Sequence, residues 1–406
     1  MPINSFLYPG AKVVPPFSVA NSLRFDGSSA NLSRTKGTSD STKIGTYSWW
    51  IKNSKFTGQN LIDCGDAFAN SSSVYISSNN TLTVFSRISN SNVLVLETNR
   101  LFRDPAAWYN IVVAIDTTQS TASNRVKVYV NGTQETSFST ETYPDQNADL
   151  RFFTSSETEK ISSTTYESGG YFGGYMCEVV KVDGQQLAQT SFGQFNEDSP
   201  TVWEPIDVAG LTFGTNGYYL DFEDSSNLGN NISGGTDFTE NNIAATDQST
   251  DTCSNNGCTW NILIPTSSTF TEGNLVYTAN SSNPVFGSLT TFGVTSGKWY
   301  AECKYVSGSN HYGIIGVADE VFAGINDLGT GTNTDLGKTG SALGSDPADC
   351  TVAYVINTGK IRNNNNNQDY GSGGGDGDII NIALDRDNRK VYFGINGTYE
   401  NSGNPG

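Results

Sequence analysis

Trp108-Tyr109-Asn110-Ile111-Val112-Val113-Ala114-Ile115-Asp116, a polar loop, and then Arg125-Val126-Lys127-Val128-Tyr129-Val130-Asn131-Gly132: this stretch decides the fold class. The first run is long, apolar and rich in β-branched residues, so it reads as a strand placed centrally in a sheet. The second alternates apolar and polar residues, as a half-buried strand does. It ends in Asn-Gly, a hairpin turn whose residues both tolerate positive φ. The same order recurs late in the chain. Leu384-Asp385 and a polar turn lead into Arg389-Lys390-Val391-Tyr392-Phe393-Gly394-Ile395-Asn396-Gly397-Thr398. The echo argues for two domains built on similar sandwich hairpins, without establishing a duplication.

Further strands follow outward from this stretch. Ser22-Leu23-Arg24-Phe25, Tyr47-Ser48-Trp49-Trp50-Ile51-Lys52 and Asn60-Leu61-Ile62-Asp63-Cys64 precede it. Ser73-Val74-Tyr75-Ile76 and Thr81-Leu82-Thr83-Val84-Phe85 form a hairpin around Ser78-Asn79-Asn80, and Gly173–Val180 closes the first domain. In the second half, Lys298–Tyr305, Tyr312–Val317, Cys350–Tyr354 and Asp378–Leu384 read as strands. No segment carries a helical apolar period over three or four turns. With 16% charged residues, long salt-bridged surface helices are also excluded.

Composition divides the chain. Residues 1–20, with Tyr8-Pro9-Gly10 and Pro15-Pro16, read as an extended arm, because Pro fixes φ and removes a donor. Residues 206–259 hold too few large apolar residues for a core of their own and read as a connector rich in Ser, Asn, Gly and Asp. Asn363–Asn367 and Gly371–Gly377 are low-complexity loop.

Residues ~20–205 resemble the concanavalin A-like, laminin G-like jelly roll. The resemblance rests on Ser22–Gly27, Tyr47–Ile51, Trp108–Val112 and Val126–Gly132. Residues ~260–406 resemble a SPRY-type β-sandwich, through Gly297-Lys298-Trp299-Tyr300-Ala301-Glu302, Gly313–Ala318 and Gly377–Asn401. The expected fold is therefore all-β: two antiparallel β-sandwiches at 21–205 and 260–406, joined by the connector at 206–259 and preceded by the arm at 1–20. A SPRY-type domain continues past Asn396-Gly397 with more strand, so its last sheet is expected to be incomplete or finished by another chain. The order of the two domains resembles virion proteins of marine tailed phages. That resemblance implies a virion location, an N-terminal arm docked on other virion proteins, and a homo-oligomer, a trimer being favoured by the cyclic symmetry of phage appendages.

Charge and motifs bound the chemistry. The net charge of −18 is uneven: residues 1–150 hold 12 Lys+Arg against 11 Asp+Glu, and the remainder holds 11 against 30. An acidic surface repels phosphate backbones, so nucleic acid is not an expected partner. No apolar run approaches the ~18 residues of a membrane span, and Met1-Pro2-Ile3-Asn4-Ser5 does not begin a secretory signal. Buried free thiols are the expected state of the six cysteines, with a local Cys253–Cys258 loop as the alternative; zinc lacks further ligands nearby.

Catalysis is tested by one pair, Asp221 and Glu223, whose i, i+2 spacing puts two carboxylates on one strand face, as a glycosidase requires. The pair lies in the connector, away from a central strand, and the Glu-x-Asp-x-x-Glu pattern of laminarinases is absent. His311, the single histidine, has no nucleophile motif around it. No catalytic residue is assigned. Adjacent strand residues point to opposite faces, so one of Trp49 and Trp50 must face away from the core; the pair is the carbohydrate-binding candidate. Laminin G-like relatives hold calcium with loop oxygens, which makes Asp26, Asp63 and Asp66 the calcium candidates. The reading is a non-enzymatic phage virion structural protein (tail fibre, spike or head decoration), with a contribution to host-surface glycan recognition left open. Its alternative is a secreted or cell-surface carbohydrate-binding module or adhesin.

Overall fold

The computed structural model describes residues 17–264, 268–279, 288–308, 313–318, 352–363 and 366–405. The described chain is all-β. Its helices amount to the four-residue turn Ala122–Arg125 and two 3-10 turns, and no helix among the described residues is long and apolar enough to cross a membrane. Two compact units are present, one reaching Thr259 and including Thr271–Val276, the other made of Trp260–Phe270 and Tyr277–Gly406.

The first unit contains two eight-stranded sheets. Its strands are β1 (Ser22–Asp26), β2 (Asn31–Thr35), β3 (Ile44–Asn53), β4 (Gln59–Ala67), β5 (Asn70–Ile76), β6 (Thr81–Ile88), β7 (Ser91–Leu101), β8 (Trp108–Asp116) and β9 (Val126–Val130). They continue as β10 (Thr133–Glu135), β11 (Phe138–Thr142), β12 (Thr158–Ile161), β13 (Gly173–Asp183), β14 (Gly193–Phe195), β15 (Trp203–Pro205), β16 (Tyr218–Leu220), β17 (Thr239–Asn241) and β18 (Gln248–Ser249). Sheet A runs β10-β9-β8-β3-β13-β1-β18, with β16 also paired to β13; sheet B runs β11-β7-β6-β5-β4-β12-β2-β17. The β8 strand lies inside sheet A, as its apolar run predicts. Asn131 and Gly132 take φ of 47° and 75° in the turn after β9, the left-handed geometry that an Asn-Gly hairpin requires.

The inner faces of both sheets form one core. Tyr47, Trp49, Ile51, Ile111 and Val113 of sheet A meet Ile62, Val74, Val84, Leu94 and Leu96 of sheet B. The segment read as a connector is woven into this unit. β16 pairs with β13, β17 with β2 and β18 with β1, while Tyr218, Leu220, Phe222, Leu228 and Phe238 enter the core. It needs no core of its own because its few large apolar side chains fill one already built.

A buried ion cluster crosses between the sheets. Glu159 on β12 accepts hydrogen bonds from Arg34 Nε at 2.8 Å, Tyr47 Oη at 3.1 Å and Lys181 Nζ at 3.3 Å. Glu159 and Lys181 are wholly buried. Burial pushes the Glu159 carboxyl up, but Lys181, Arg34 and Lys36 outweigh that and hold it down at about 2. Arg34 also lies over the Tyr218 and Phe238 rings, 4.6 and 4.9 Å from their centroids, so the cation anchors the residue 206–259 segment as well.

In sequence, β19 (Thr269–Thr271) and β20 (Val276–Thr278) follow as a hairpin. The second unit then holds β21 (Lys298–Lys304), β22 (Ile314–Val317), β23 (Val352–Val355), β24 (Lys360–Asn363), β25 (Asn366–Asp369), β26 (Ile379–Asp385), β27 (Lys390–Ile395) and β28 (Thr398–Tyr399). They form two four-stranded sheets, β21-β26-β27-β28 and β22-β23-β24-β25, around Tyr354, Ile356, Ile380, Ile382 and Phe393. The late Asn396-Gly397 turn joins β27 to β28 with φ of 49° and 83°.

Stability should depend on the buried cluster far more than on surface pairs. Glu159→Ala strands Lys181 and Arg34 and is expected to lower the unfolding free energy by about 3–5 kcal/mol. Asp149→Ala breaks the solvent-exposed Lys43–Asp149 pair and should cost at most about 1 kcal/mol. Urea unfolding of both variants checks this; equal losses would contradict it. Because the Glu159 carboxyl is depressed, its contribution is full above about 4.5 and is lost as pH falls towards about 2.

Candidate functional site

Sheet A is covered on both sides. Beyond its core face, Val112, Ala114, Tyr129, Val180, Val182 and Tyr219 of the sheet pack beneath Phe192 and Val208. A neighbouring cluster joins Trp50, Trp108, Tyr175 and Cys177 to Val19 and Trp203. This corrects the carbohydrate-binding expectation for the tryptophans. Trp49 is in the main core, stacked on Tyr47 with ring centroids 5.5 Å apart. Trp50 does face the other way, as alternation requires, but that face is roofed over and Trp50 is 3% exposed. Neither ring offers a surface to a sugar.

Sheet B is different. Its core-facing residues, Ile62, Val74, Val84 and Leu96, alternate with a second set on the outer face. One row there is Asp63–Ser73–Phe85–Val95 and the next is Asn60–Tyr75–Thr83–Glu97, each residue paired in register with its neighbour. Tyr75 and Phe85 are half-buried and belong to none of the unit's apolar clusters. Two loops extend the face. Phe68, half exposed after β4, packs on Tyr166 with centroids 5.4 Å apart. The Arg87 guanidinium lies 4.4 Å from the Phe68 centroid. Its Nε is buried and has no hydrogen-bond partner among the described residues.

Polar groups are set between these rings. Asp63 Oδ1 accepts from Thr165 N at 3.1 Å and Thr165 Oγ1 at 2.6 Å, fastening the loop that carries Tyr166. Burial pushes the Asp63 carboxyl up to about 6, against those hydrogen bonds and the pull of Lys160 and Lys36. Burial likewise pushes the Tyr166 phenol up to about 12, with Asp63 and Glu167 adding to it. Glu97 Oε1 accepts from Thr81 Oγ1 at 2.7 Å. Chemically, the face offers flat aromatic surfaces beside fixed donors and acceptors, an arrangement suited to stacking on sugar C–H groups and bonding sugar hydroxyls.

The three calcium candidates are not brought together. Asp26 lies on sheet A, where it ties its own turn: Oδ1 accepts from the amides of Ser28, Ser29 and Ala30. Burial opposes ionisation of Asp26, yet these bonds and the Ser28 hydroxyl hold its carboxyl well below the usual range. Asp63 fastens Thr165, and Asp66 Oδ1 accepts from Thr158 N at 3.3 Å. Among the described residues, no group of three or more His, Cys, Asp or Glu is arranged to hold a metal ion. His311 and residues 1–16 of the arm lie outside the described residues. At Asp221 and Glu223, the intervening Phe222 takes φ of 60°. The run is not extended there, so alternation no longer puts the two carboxylates on one face.

The family comparison meets this geometry at the same strands. Residues 26–184 match the model of the concanavalin A-like lectin/glucanases superfamily. The first unit is a concanavalin A-like β-sandwich. The match covers the whole outer face of sheet B described above, including Asp63, Tyr75, Phe85, Arg87 and Tyr166. No curated protein matches the chain. Solved structures with partial likeness include a heptameric SAP-like pentraxin from Limulus polyphemus, at 15% identity and TM-score 0.32, covering 42% of this chain and 80% of that one. A carbohydrate-binding protein from Bacteroides ovatus gives 16%, 0.38, 58% and 61% in the same order. The sialidase module CBM40 from Ruminococcus gnavus bound to α2,3 sialyllactose gives 16%, 0.27, 39% and 89%. These likenesses are slight, and the fold assignment rests on the strand order and the family match.

The virion expectation is corrected by these findings. The matched family is one of lectins and glucanases. The phage function and virion location were drawn from domain order. Domain order is a fold-level analogy and does not by itself imply function.

One further titratable group stands out on β13. The strand bulges between Cys177 and Val180, and Glu178 sits in the bulge with φ of 51°. Its Oε2 accepts from Tyr219 Oη at 2.7 Å. Burial pushes its carboxyl up to about 8; the Tyr219 bond opposes this, and Asp221, Glu223 and Asp207 add to it. Folding therefore takes up a proton between about 4.5 and about 8. The stability Glu178 confers is full below about 4.5 and is lost as pH rises through about 8. Glu178→Gln should flatten the fall of Tm over that interval and raise Tm at pH 8, as read by calorimetry at several pH values. A variant whose pH profile parallels the parent's would contradict the assignment.

Proposed function

We propose that the chain is a non-enzymatic carbohydrate-binding protein whose ligand lies on the outer face of sheet B. The observation that carries this reading is the pair of half-buried Tyr75 and Phe85 in adjacent rows, with Phe68 and Tyr166 at their rim, on a face that no apolar cluster among the described residues covers. Aromatic rings part-exposed on a sheet face offer a flat apolar surface on which a sugar can stack. Asn60, Ser73 and Thr83 of these rows are buried, so the polar contacts would come from the part-exposed Glu97 and Arg87 side chains. The matched family, which includes lectins, supports the class of ligand.

Around this site the reading has three further parts. The second unit, with its two four-stranded sheets, is proposed as a SPRY-like sandwich, on the sequence resemblance at Gly297–Glu302 and Gly377–Asn401. A homo-oligomer is proposed because open sheet edges such as β11 can pair with another copy. Multiple copies would raise the effective affinity of weak sugar contacts by ~10²–10⁴. Calcium, if bound, would use single carboxylates with backbone oxygens rather than an acidic cluster.

A glycan array probed with the full chain tests the reading. Tyr75→Ala and Phe85→Ala are each expected to weaken binding of the best glycan about tenfold, equivalent to about 1.4 kcal/mol, with Tm preserved. Binding should change little from low to moderate salt, because stacking dominates. Undiminished binding by both variants, or collapse with added salt, would overturn the site.

A further inference from the structure

We propose that Cys177 and Cys253 are a disulfide pair that staples the return segment, residues 248–259, onto the outer face of sheet A. Their sulfurs lie 3.6 Å apart, in direct contact, with the thiols free. A bond of ~2.05 Å needs only a small closure. Both backbones are already fixed where they must be. Cys177 lies on β13, paired through Trp50 to β3, inside the cluster of Trp50, Trp108 and Tyr175. The return segment is held on either side of Cys253. Lys52 Nζ donates to Asp251 Oδ2 at 2.8 Å, Asn256 Oδ1 at 2.8 Å and Gly257 O at 2.6 Å. Thr252 Oγ1 donates to Val19 O at 3.0 Å, and Asn256 Nδ2 to Ala106 O at 2.7 Å.

The other described cysteines are placed elsewhere. Cys64 is buried between the sheets near Glu159, with Sγ 3.8 Å from Oε1. Cys258 is exposed, and Cys303 belongs to the second unit. The sulfur that meets Cys253 is thus 76 positions away rather than at the neighbouring Cys258, a partnership that sequence spacing cannot reveal.

The oxidant is a small-molecule disulfide such as oxidised glutathione. The Cys253 thiolate attacks one of its sulfurs and releases one small thiol. The Cys177 thiolate then attacks the Cys253 sulfur of the mixed disulfide and releases the second. The two protein thiols give up two protons and an electron pair, and the oxidant's disulfide is reduced to two thiols. Burial pushes the Cys253 thiol well above its usual range, so the exchange is slow at neutral pH and quickens as pH rises. Once formed, the bond closes the chain from β13 to the return segment, enclosing β14 to β18. It would keep the cover of sheet A in place without touching the aromatic face of sheet B.

The test uses the full chain equilibrated in reduced and oxidised glutathione, quenched in acid, alkylated in denaturant and mapped by non-reducing peptide mass spectrometry. The expected product under oxidising conditions is one linked pair of peptides, carrying Cys177 and Cys253, two hydrogens lighter than the sum of the free peptides. The oxidised chain should melt roughly 10 °C above the reduced chain, and Cys253→Ser should abolish that difference while Cys258→Ser preserves it. Alkylation of both Cys177 and Cys253 after oxidation, or a Cys253–Cys258 link, would overturn the proposal. Should Cys253→Ser fail to fold, the peptide map of the unaltered chain decides alone.

Discussion

A carboxylate buried between two sheets cannot remain ionised without cations beside it, and the first unit is organised around that constraint at Glu159. Lys181 from sheet A and Arg34 from sheet B both donate to it, and Tyr47 adds a hydroxyl. Removing the charges from water costs several kcal/mol per ion, so the cluster is tolerated only if its geometry is fully satisfied. That requirement fixes the register of β12 against β2 and β4, and the position of β13 above them. It also reaches beyond the two sheets. The Arg34 guanidinium is capped by Tyr218 and Phe238, and its Nη2 donates to Asn216 O at 2.8 Å. The polar segment after residue 205 is therefore drawn into the sandwich by a cation as well as by apolar burial.

Sheet B carries no apolar roof among the described residues, and its outer face is part-exposed at Tyr75, Phe85, Val95 and Glu97. Segment 187–213 roofs part of sheet A, and the return segment with Val19 and Trp203 covers a neighbouring part. The chain length spent there is not available for sheet B. Among the described residues its outer face carries the side chains of its own strands and the loops around Phe68 and Tyr166, the second of which closes over Asp63 and Asn60. Half-buried aromatic rings in such a place are the mark of a ligand surface in the proposed account, and their backbone is rigid because it is the middle of an eight-stranded sheet.

Strand identity was legible where period and turn chemistry agreed. Trp108–Ile115, Val126–Gly132 and the Ser73–Phe85 hairpin announce themselves by apolar runs and by Asn-rich turns. The order of strands in each sheet was not legible, since it depends on pairings between residues as distant as Leu23 and Met176. Glu159 shares its strand face with Ile161 and Lys181 shares its face with Val179, so both charges stand at core-facing positions, each the other's partner. For the site, reasoning from adjacent Trp49 and Trp50 found the correct opposition of faces but not the roof over Trp50. The useful signal was on β5 and β6. Val74-Tyr75 and Val84-Phe85 put large side chains on both faces, and the second of each pair falls on the face opposite the core. That doubling could have marked the face in advance.

The central claim is that glycan binds across the outer face of sheet B, and amide hydrogen exchange reads it most directly. The full chain would be compared with and without the glycan that binds best on the array. The account predicts slowed exchange in β4 to β7 and in the loop carrying Thr165 and Tyr166, with sheet A and the second unit unchanged. Protection confined to sheet A, or to the second unit, would contradict it.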